Sequence, residues 1–512
     1  MLKDEINKNS VKQMLAYGSA DMYLYGSYFV ISSYFLVFLT LVQGINPAYA
    51  GLAIMIGKIW DAISDPLMAI IYERTKTKHG KSRPYFLFGA IPAFISFALL
   101  WWAPSYVSTD MGKLIYFTIA YILYSTCYTV ISIPYESLLP RMIDDYSIRT
   151  NYVSVRSIFG AIAGVLSTGV YELVIYWQAR GESLTLTAAL KPNFIIMGII
   201  LGTLYAIPLL ISFMGTKEKL SLNIANKVSV KEVLKEYKQV LSSACYRRYL
   251  IILILCAFTW GLYSTGMIFF AYVILPTDSF LLGISVVTLI ITIKGITEMG
   301  FFPINVYLMK KYVKQKPYII DIPLLIIASL IALFIPMNAN PLYFLISIAF
   351  VGAGSSCLGI VTSNLLADLP DIDELIYGKR REGFAMGLST FAKKSVGGIT
   401  IFFVGVILAK SGLDQSDPEN AVRTVSAMWG VKLVYSILPP FICLAIIILG
   451  RAYKLDGNKH KIIKDIIARR KINGYVNLTE EELNICEDIS GKKYLNLWIS
   501  SIEDISPQKE NE

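Results

Sequence analysis

The chain has 512 residues, of which 55% are hydrophobic and 16% are charged, and its mean hydropathy is +0.55. Soluble proteins carry about 25% charged residues, so this composition excludes an ordinary soluble globular protein. The net charge of +10 would suit a nucleic-acid-binding protein, but the positions of the basic residues favour a different explanation, and we expect no nucleic-acid partner.

Apolar runs long enough to cross a bilayer recur along the whole chain. A transmembrane helix needs about 20 mostly apolar residues. Twelve runs meet this length, at 17–43, 48–73, 85–105, 113–139, 152–178, 192–215, 248–275, 282–308, 318–337, 341–366, 383–409 and 426–450. The sequence therefore predicts an all-α, multi-pass protein of the cell membrane with twelve transmembrane helices in the lipid bilayer. The polar start and the long first run predict that the first span is not cleaved as a signal peptide.

Lysine and arginine are concentrated in alternate connections between these runs. Five lie in 74–83, eight in 216–248 and four in 310–316. Basic residues mark the cytoplasmic loops of membrane proteins. The alternation predicts an even number of spans with both termini in the cytoplasm.

The connection 216–247 divides the predicted spans into two sets of six. We expect an N-terminal bundle at 1–215, a C-terminal bundle at 248–451 and a cytoplasmic tail at 452–512. The connection contains SVKEVLKEYKQVL, whose apolar residues recur at helical spacing and predict an amphipathic helix. In the tail, Thr479 and Glu482 have the spacing of a capping box.

The two predicted bundles resemble distant copies of one another. Asp61 precedes Pro66 by five residues, and Glu298 precedes Pro303 by the same interval. A basic stretch follows in both cases. Paired six-span halves are a recurring plan of secondary transporters, in which the substrate site lies near the midplane between the halves.

Charged residues inside the spans are the strongest indication of function. A charge at a helix centre costs about 2.5–3.5 kcal/mol, and Asp61 and Asp65 are one helical turn apart on the same face. Two such carboxylates repel unless a cation, a proton or a basic residue lies between them. Lys58 could offset part of the charge. The pair predicts a cation or proton site, with a structural ion pair between helices as the alternative.

The fourth and fifth spans carry a second group of polar residues. Thr129, Ser132 and Glu136 lie on one helical face, and the Thr129 hydroxyl suits a small cation because hard cations prefer oxygen ligands. Asp21 and the forked donor Arg156 suit recognition of a polyhydroxyl substrate, since a site built to hydrogen-bond rejects ligands that leave its groups unpaired.

Two further lysines have open roles. Lys394 could contact substrate, or it could pair with the second-span aspartates and respond to the bound cation. Lys294 lies four residues before Glu298, so these two can neutralise each other. A structural or coupling role for that pair is as well supported as substrate contact.

The segment KIWDAISDP, followed by KHGKSRPY, resembles the second-span signature of the glycoside–pentoside–hexuronide:cation symporters, the melibiose permease-like sugar transporters of the major facilitator superfamily. Further similar motifs are YTVISIPYESLLP, GKRREG and STFAKK. The resemblance covers the chain from the first span to about residue 450. It implies the major facilitator fold, with two six-helix pseudo-repeat bundles.

The resemblance also assigns roles to particular residues. The cation-site positions of the family fall on Asp61, Asp65 and Thr129, and Ser64 stands where the melibiose permease has asparagine. The predicted substrate-binding residues are Asp21, Tyr128, Ser132, Glu136, Arg156, Thr390 and Lys394. Ser132 and Glu136 replace a sugar-binding aspartate and a tryptophan of that permease, so its galactoside recognition is not transferred.

These observations predict symport of a sugar or glycoside coupled to Na⁺ or H⁺, with no cofactor besides the coupling ion. The alternative on the same fold is Na⁺-dependent transport of a lysolipid or another amphipathic solute. A membrane-embedded enzyme is disfavoured because both histidines lie outside the predicted spans and no nucleophile–base or metal-ligand motif is present. A non-transporting sensor is a third alternative, for which the short tail offers no recognisable signalling domain.

Overall fold

The computed structural model describes residues 2–500 with the exception of 76, 105, 106, 108, 144, 145, 180–190, 219–229, 277–279, 282, 283, 380, 414–423, 454, 456 and 474. Almost all of the regular structure in this part of the chain is helical. The α-helices are α1 (Leu2–Ser19), α2 (Asp21–Val30), α3 (Pro47–Arg74), α4 (Arg83–Leu100), α5 (Asp110–Met142), α6 (Tyr146–Ala179), α7 (Lys191–Gly215), α8 (Val230–Ser242), α9 (Ala244–Val273), α10 (Val286–Lys311), α11 (Lys316–Leu333), α12 (Pro341–Leu366), α13 (Leu369–Tyr377), α14 (Glu382–Lys410), α15 (Val425–Lys432), α16 (Leu438–Arg451), α17 (Gly457–Asn473) and α18 (Glu480–Ser490).

Ten helical segments among the described residues are long and apolar enough to cross a membrane. Helix α3 has 28 residues, which is also a spanning length, but it carries Lys58, Asp61 and Asp65 near its middle. The prediction of an all-α, multi-pass membrane protein is confirmed. The count of twelve spans, the cytoplasmic termini and the division into bundles remain predictions.

The first predicted span, 17–43, differs from the continuous α-helix that its composition suggests. Helix α1 ends at Ser19, α2 ends at Val30, and two π-helical segments follow at Ile31–Phe35 and Phe38–Val42. A π-helical turn bonds each N–H to the carbonyl five residues back and is rare. Hydrophobic periodicity did not reveal it, because most of these residues are apolar and buried.

The eighth predicted span, 282–308, also needs correction at its start. A short antiparallel strand pair, β1 (Phe280–Leu281) and β2 (Ile284–Ser285), precedes α10. Pairing between the strands satisfies backbone groups that a helix would otherwise use. The helix therefore begins at Val286.

Helices α3 and α14 pack antiparallel at very short distance, and glycines make this possible. A Cβ atom on Gly51 would lie 2.9 Å from the Ile401 carbonyl oxygen. A Cβ on Gly405 would lie 2.2 Å from the Pro47 carbonyl oxygen, and one on Gly398 would lie 3.2 Å from Met55. This close contact continues along α3 to the level of its charged residues, and it joins the parts of the chain before and after α8.

The connection forms helix α8, where the sequence predicts an amphipathic helix, and Ser229, the first residue of the segment SVKEVLKEYKQVL, lies outside the described residues. Helix α8 is tied to the second half of the chain by an ion pair between Glu236 and Arg381, 2.7 Å long. The tail packs on the same side, where Lys471 forms a 2.6 Å ion pair with Glu374 of α13. The predicted capping box at the start of α18 is confirmed.

Candidate functional site

The second-span aspartates meet a lysine from the other half of the chain. The Lys394 ammonium of α14 lies 2.8 Å from Asp61 Oδ2 and 2.6 Å from Asp65 Oδ2. The carboxylates lie on one face of α3 because they are four residues apart, and the glycine contacts between α3 and α14 bring Lys394 within reach. Of the two roles open for Lys394 from sequence, the structure places it with the aspartates.

Thr129 of α5 completes this group on the opposite side from Lys394. Its hydroxyl lies 3.0 Å from Asp61 Oδ1 and 3.0 Å from Asp65 Oδ1. The Ser64 hydroxyl lies 3.2 Å from the Thr129 hydroxyl. We call Asp61, Asp65, Thr129 and Lys394 the carboxylate clamp.

The clamp has a formal charge of −1, since it holds two carboxylates and one ammonium. Its oxygens come from α3 and α5, and the neutralising ammonium comes from α14. All three charged side chains are mostly buried, with exposed fractions of 16–25%. An excess negative charge among converging oxygens in a poorly hydrated place is suited to a monovalent cation or a proton.

Lys58 has a different partner. Its ammonium lies over the Tyr28 ring, 5.3 Å from the ring centroid. This is the distance range of a cation–π contact. Although Lys58 precedes Asp61 by only three residues, its positive charge is directed at α2.

Asp21, Glu136 and Arg156 form a second charged group, which we call the arginine cluster. Arg156 Nε donates to Asp21 Oδ1 at 2.9 Å. Its Nη1 and Nη2 atoms donate to the two carboxylate oxygens of Glu136, at 3.0 and 2.6 Å. The sequence predicted all three residues as substrate contacts, and the structure brings them together from α2, α5 and α6.

The sequence did not predict that the stacked rings of Tyr135 and Tyr17 lie next to the arginine cluster. The Arg156 guanidinium lies 4.9 Å from the centroid of the Tyr135 ring, which stacks on Tyr17 with 4.7 Å between centroids. Tyr135 also donates a hydrogen bond to the Tyr17 carbonyl oxygen at 3.1 Å. Tyr135 is adjacent to Glu136 in sequence, and this was a weak signal that the Arg156 guanidinium stacks on an aromatic ring.

The two groups are neighbours along α5. Thr129 and Glu136 are seven residues apart, which is two turns on the same face and about 10 Å at the helical rise. Ser132 lies between them, and its hydroxyl donates to the Thr129 carbonyl oxygen at 3.4 Å. One helix therefore carries both a clamp ligand and a member of the arginine cluster.

The remaining predicted substrate residues, Tyr128 and Thr390, differ in how far they are buried. Tyr128 is partly buried, with its ring 6.0 Å from that of Tyr23. Thr390 is exposed and lies one turn before Lys394 in α14. Neither has a described hydrogen bond or ion pair with the arginine cluster, so their assignment as substrate residues remains a prediction.

Lys294 and Glu298 of α10 form an ion pair with each other. Lys294 Nζ donates to Glu298 Oε2 at 2.6 Å, and the side chains are 13% and 27% exposed. The two formal charges therefore cancel within one helix.

Comparison with known proteins gives a consistent picture over almost the whole chain. The sequence model of the family described as MFS/sugar transport protein matches residues 16–457. "Uncharacterized symporter YnaJ" from Bacillus subtilis is 28% identical, over 92% of this chain and 98% of its own length. The isoprimeverose transporter of Lactiplantibacillus pentosus is 26% identical, over 90% of this chain and 92% of its own length. A glucuronide carrier protein homolog from Escherichia coli is 24% identical, over 87% and 92% respectively.

Solved structures show the same fold at low sequence identity. The nucleoside transporter NupG superposes with a TM-score of 0.60, 13% identity, and coverage of 86% of this chain and 98% of that one. At this identity the similarity establishes the fold and nothing about the substrate. The predicted major facilitator fold is confirmed.

Proposed function

The chain belongs to the MFS/sugar transport protein family and, within it, to the glycoside–pentoside–hexuronide:cation symporters, and from this membership we propose that it couples the movement of Na⁺ or H⁺ to that of a sugar or glycoside across the cell membrane. Membership of a transporter family argues against catalysis as the primary activity. The coupling ion is the one inorganic partner that the proposal requires.

The carboxylate clamp is the observation that carries the proposal. Its acidic members come from one half of the chain and its lysine from the other. A Na⁺ ion or proton that binds to Asp61 and Asp65 competes with Lys394 for the same oxygens. Cation binding would weaken the ion pairs between α3 and α14, so the state of the clamp and the relative position of the halves become linked.

The arginine cluster is the proposed sugar site. Carboxylate oxygens accept hydrogen bonds and the guanidinium donates them, and sugar hydroxyls can do both. Contact with the Tyr135 ring keeps the Arg156 guanidinium in place while sugar hydroxyls bind to the remaining donor and acceptor positions of the cluster. Since α5 carries both Thr129 and Glu136, binding at one site can shift the other, and the coupling free energy must be the same in both directions.

A lysolipid is less well supported. Its acyl chain would need a continuous apolar lining, whereas Asp21, Glu136 and Arg156 form a charged group at the proposed site. The sugar proposal also agrees with the name of the isoprimeverose transporter, a relative of nearly equal length.

The test is a thermal-shift screen of the purified full-length protein against neutral and acidic sugars and glycosides, isoprimeverose included, and against a lysolipid, at two pH values, with and without Na⁺. A ligand that binds the native state raises the unfolding temperature. We expect at least one sugar to stabilise the protein, and to do so more strongly when Na⁺ is added or the pH is lowered. Stabilisation by lysolipid alone would contradict the sugar assignment, and a sugar effect that is independent of both ions would contradict the coupling.

A further inference from the structure

The Arg156 guanidinium is held by carboxylates on three of its five N–H donors, and both of its terminal nitrogens are among them. Its Nε bonds Asp21, and its two terminal nitrogens form a bidentate pair with Glu136. Bidentate arginine–carboxylate pairs are strong and geometrically specific. An arginine that is to receive a substrate carboxylate would need this fork to be free.

The charge around the arginine cluster is negative. One guanidinium and two carboxylates sum to −1, and the carboxylate clamp two turns away on α5 contributes a further −1. Lys58 offsets part of this, but its ammonium is held over Tyr28. The Lys294–Glu298 pair is neutral as a unit.

Glu136 is also the most accessible member of the cluster. Its side chain is 57% exposed, against 9% for Asp21 and 25% for Arg156. Each carboxylate oxygen has about two acceptor sites, so the pair with Arg156 leaves acceptor capacity on Glu136 for an arriving hydroxyl.

Building on the proposed function, we infer that Glu136 selects neutral glycosides and rejects hexuronides. A hydroxymethyl or ring hydroxyl can donate to Glu136 without disturbing its pair with Arg156. A hexuronide carboxylate has no hydrogen to donate and meets a net negative surface, and it gains a bidentate contact with both terminal nitrogens of Arg156 only by displacing Glu136. The displaced carboxylate would then remain beside the ligand carboxylate, where like charges repel.

The experiment compares ligand pairs that differ only at C6. For each neutral glycoside that stabilises the full-length protein, affinity is measured for it and for its uronide, with 4-nitrophenyl β-D-glucoside and 4-nitrophenyl β-D-glucuronide as the first pair. We expect the wild type to bind the neutral member at least tenfold more tightly. Added salt should narrow this ratio, because it screens repulsion between charges.

Glu136→Gln removes the charge while keeping the shape of the side chain. We expect it to reduce the neutral-to-uronide ratio at least tenfold, mainly through tighter uronide binding. Glu136→Asp retains the charge and should retain the preference for the neutral member. Glu298→Gln is the matched control: it removes a membrane carboxylate outside the cluster and should leave the ratio unchanged.

The outcomes separate this inference from the proposed function. Equal wild-type binding of a glycoside and its uronide, or an unchanged ratio in Glu136→Gln, overturns the selectivity assigned to Glu136 while sugar transport stands. Failure of every sugar to bind overturns the proposed function and the inference together. The wild-type ratio and its salt dependence test the inference even if a variant does not fold.

Discussion

Helices α3 and α10 occupy equivalent places in the predicted internal repeat, yet they neutralise their acidic residues in opposite ways. Each carries a carboxylate five residues before an internal proline. In α3, Asp61 is paired across the molecule with Lys394 of α14. In α10, Glu298 is paired within its own helix with Lys294.

The difference determines what each carboxylate can sense. An ion pair inside one helix is unaffected when that helix moves as a rigid body. An ion pair between helices from different halves breaks or forms as the halves move. In the proposed mechanism, the carboxylates of α3, unlike Glu298 of α10, are therefore placed to connect cation binding with a change in the arrangement of the halves.

The largest expected effect comes from Asp65→Asn, which removes one clamp charge and keeps the side-chain shape. We expect sugar accumulation driven by an ion gradient to fall by roughly 100-fold, at the upper end of usual coupling between two ligands. The measurement is uptake of a sugar identified by the screen into proteoliposomes with an imposed Na⁺ or H⁺ gradient.

Glu298→Gln is the matched change in α10 and should leave gradient-driven accumulation near the wild-type level. If the two variants lose accumulation equally, the comparison between the helices fails. Wild-type accumulation by Asp65→Asn would remove the carboxylate clamp from the coupling mechanism.

Lys394→Gln should have the next largest effect. The variant removes the ammonium that competes with the cation for Asp61 and Asp65, so we expect cation affinity to rise by about tenfold, equivalent to about 1.4 kcal/mol. Gradient-driven accumulation should fall because release of the cation becomes less favourable. Cation titrations followed by thermal shift, with and without sugar, measure the affinity.

Lys294→Gln provides the corresponding control in α10. Its ammonium neutralises Glu298 and has no described contact with the clamp, so cation affinity should stay at the wild-type value. An increase of the same size in both variants would mean that general electrostatics, and not competition at the clamp, sets the affinity.

Glycines show a parallel contrast between the two helices. A Cβ on Gly51 of α3 would lie 2.9 Å from backbone atoms of α14, whereas one on Gly300 of α10 would have no atom within 4 Å. We expect Gly51→Ala to lower the free energy of unfolding by about 1–3 kcal/mol, the usual cost of overpacking. Gly300→Ala should be neutral or stabilise by up to about 1 kcal/mol, because alanine favours helix.

Thermal unfolding in detergent measures both glycine variants. Loss of stability in Gly51→Ala but not in Gly300→Ala would support the close α3–α14 contact. Equal stability of the two variants would contradict it.

The contrast between α3 and α10 shows how much of the candidate site could be predicted from the sequence. Spacing alone predicted that Asp61 and Asp65 share a face, and the polar stripe on α5 pointed to Thr129. The partner of Lys394 stayed open because it depends on how closely two distant helices pack. The glycines that allow this contact lie seven residues apart in α14, at 398 and 405, so a stripe of small residues on one helical face was a usable signal.

The arginine cluster was predictable in membership but not in arrangement. Intramembrane charges are costly, so Asp21, Glu136 and Arg156 stood out individually. Their mutual bonds depend on the packing of α2, α5 and α6, which hydrophobic periodicity does not specify. The same limit applies to the π-helical segments of the first predicted span.

The smallest expected effect concerns Lys58, which precedes Asp61 much as Lys294 precedes Glu298. Lys294 forms an ion pair with Glu298 of its own helix, whereas the Lys58 ammonium lies over the Tyr28 ring. An exposed cation–π contact contributes about 0.5–1 kcal/mol, so Lys58→Met should change cation affinity by no more than about fivefold. Tyr28→Phe keeps the aromatic face and should match the wild type. A rise in cation affinity as large as that of Lys394→Gln would show that Lys58 neutralises Asp61 after all, and α3 would then resemble α10 more than its contacts indicate.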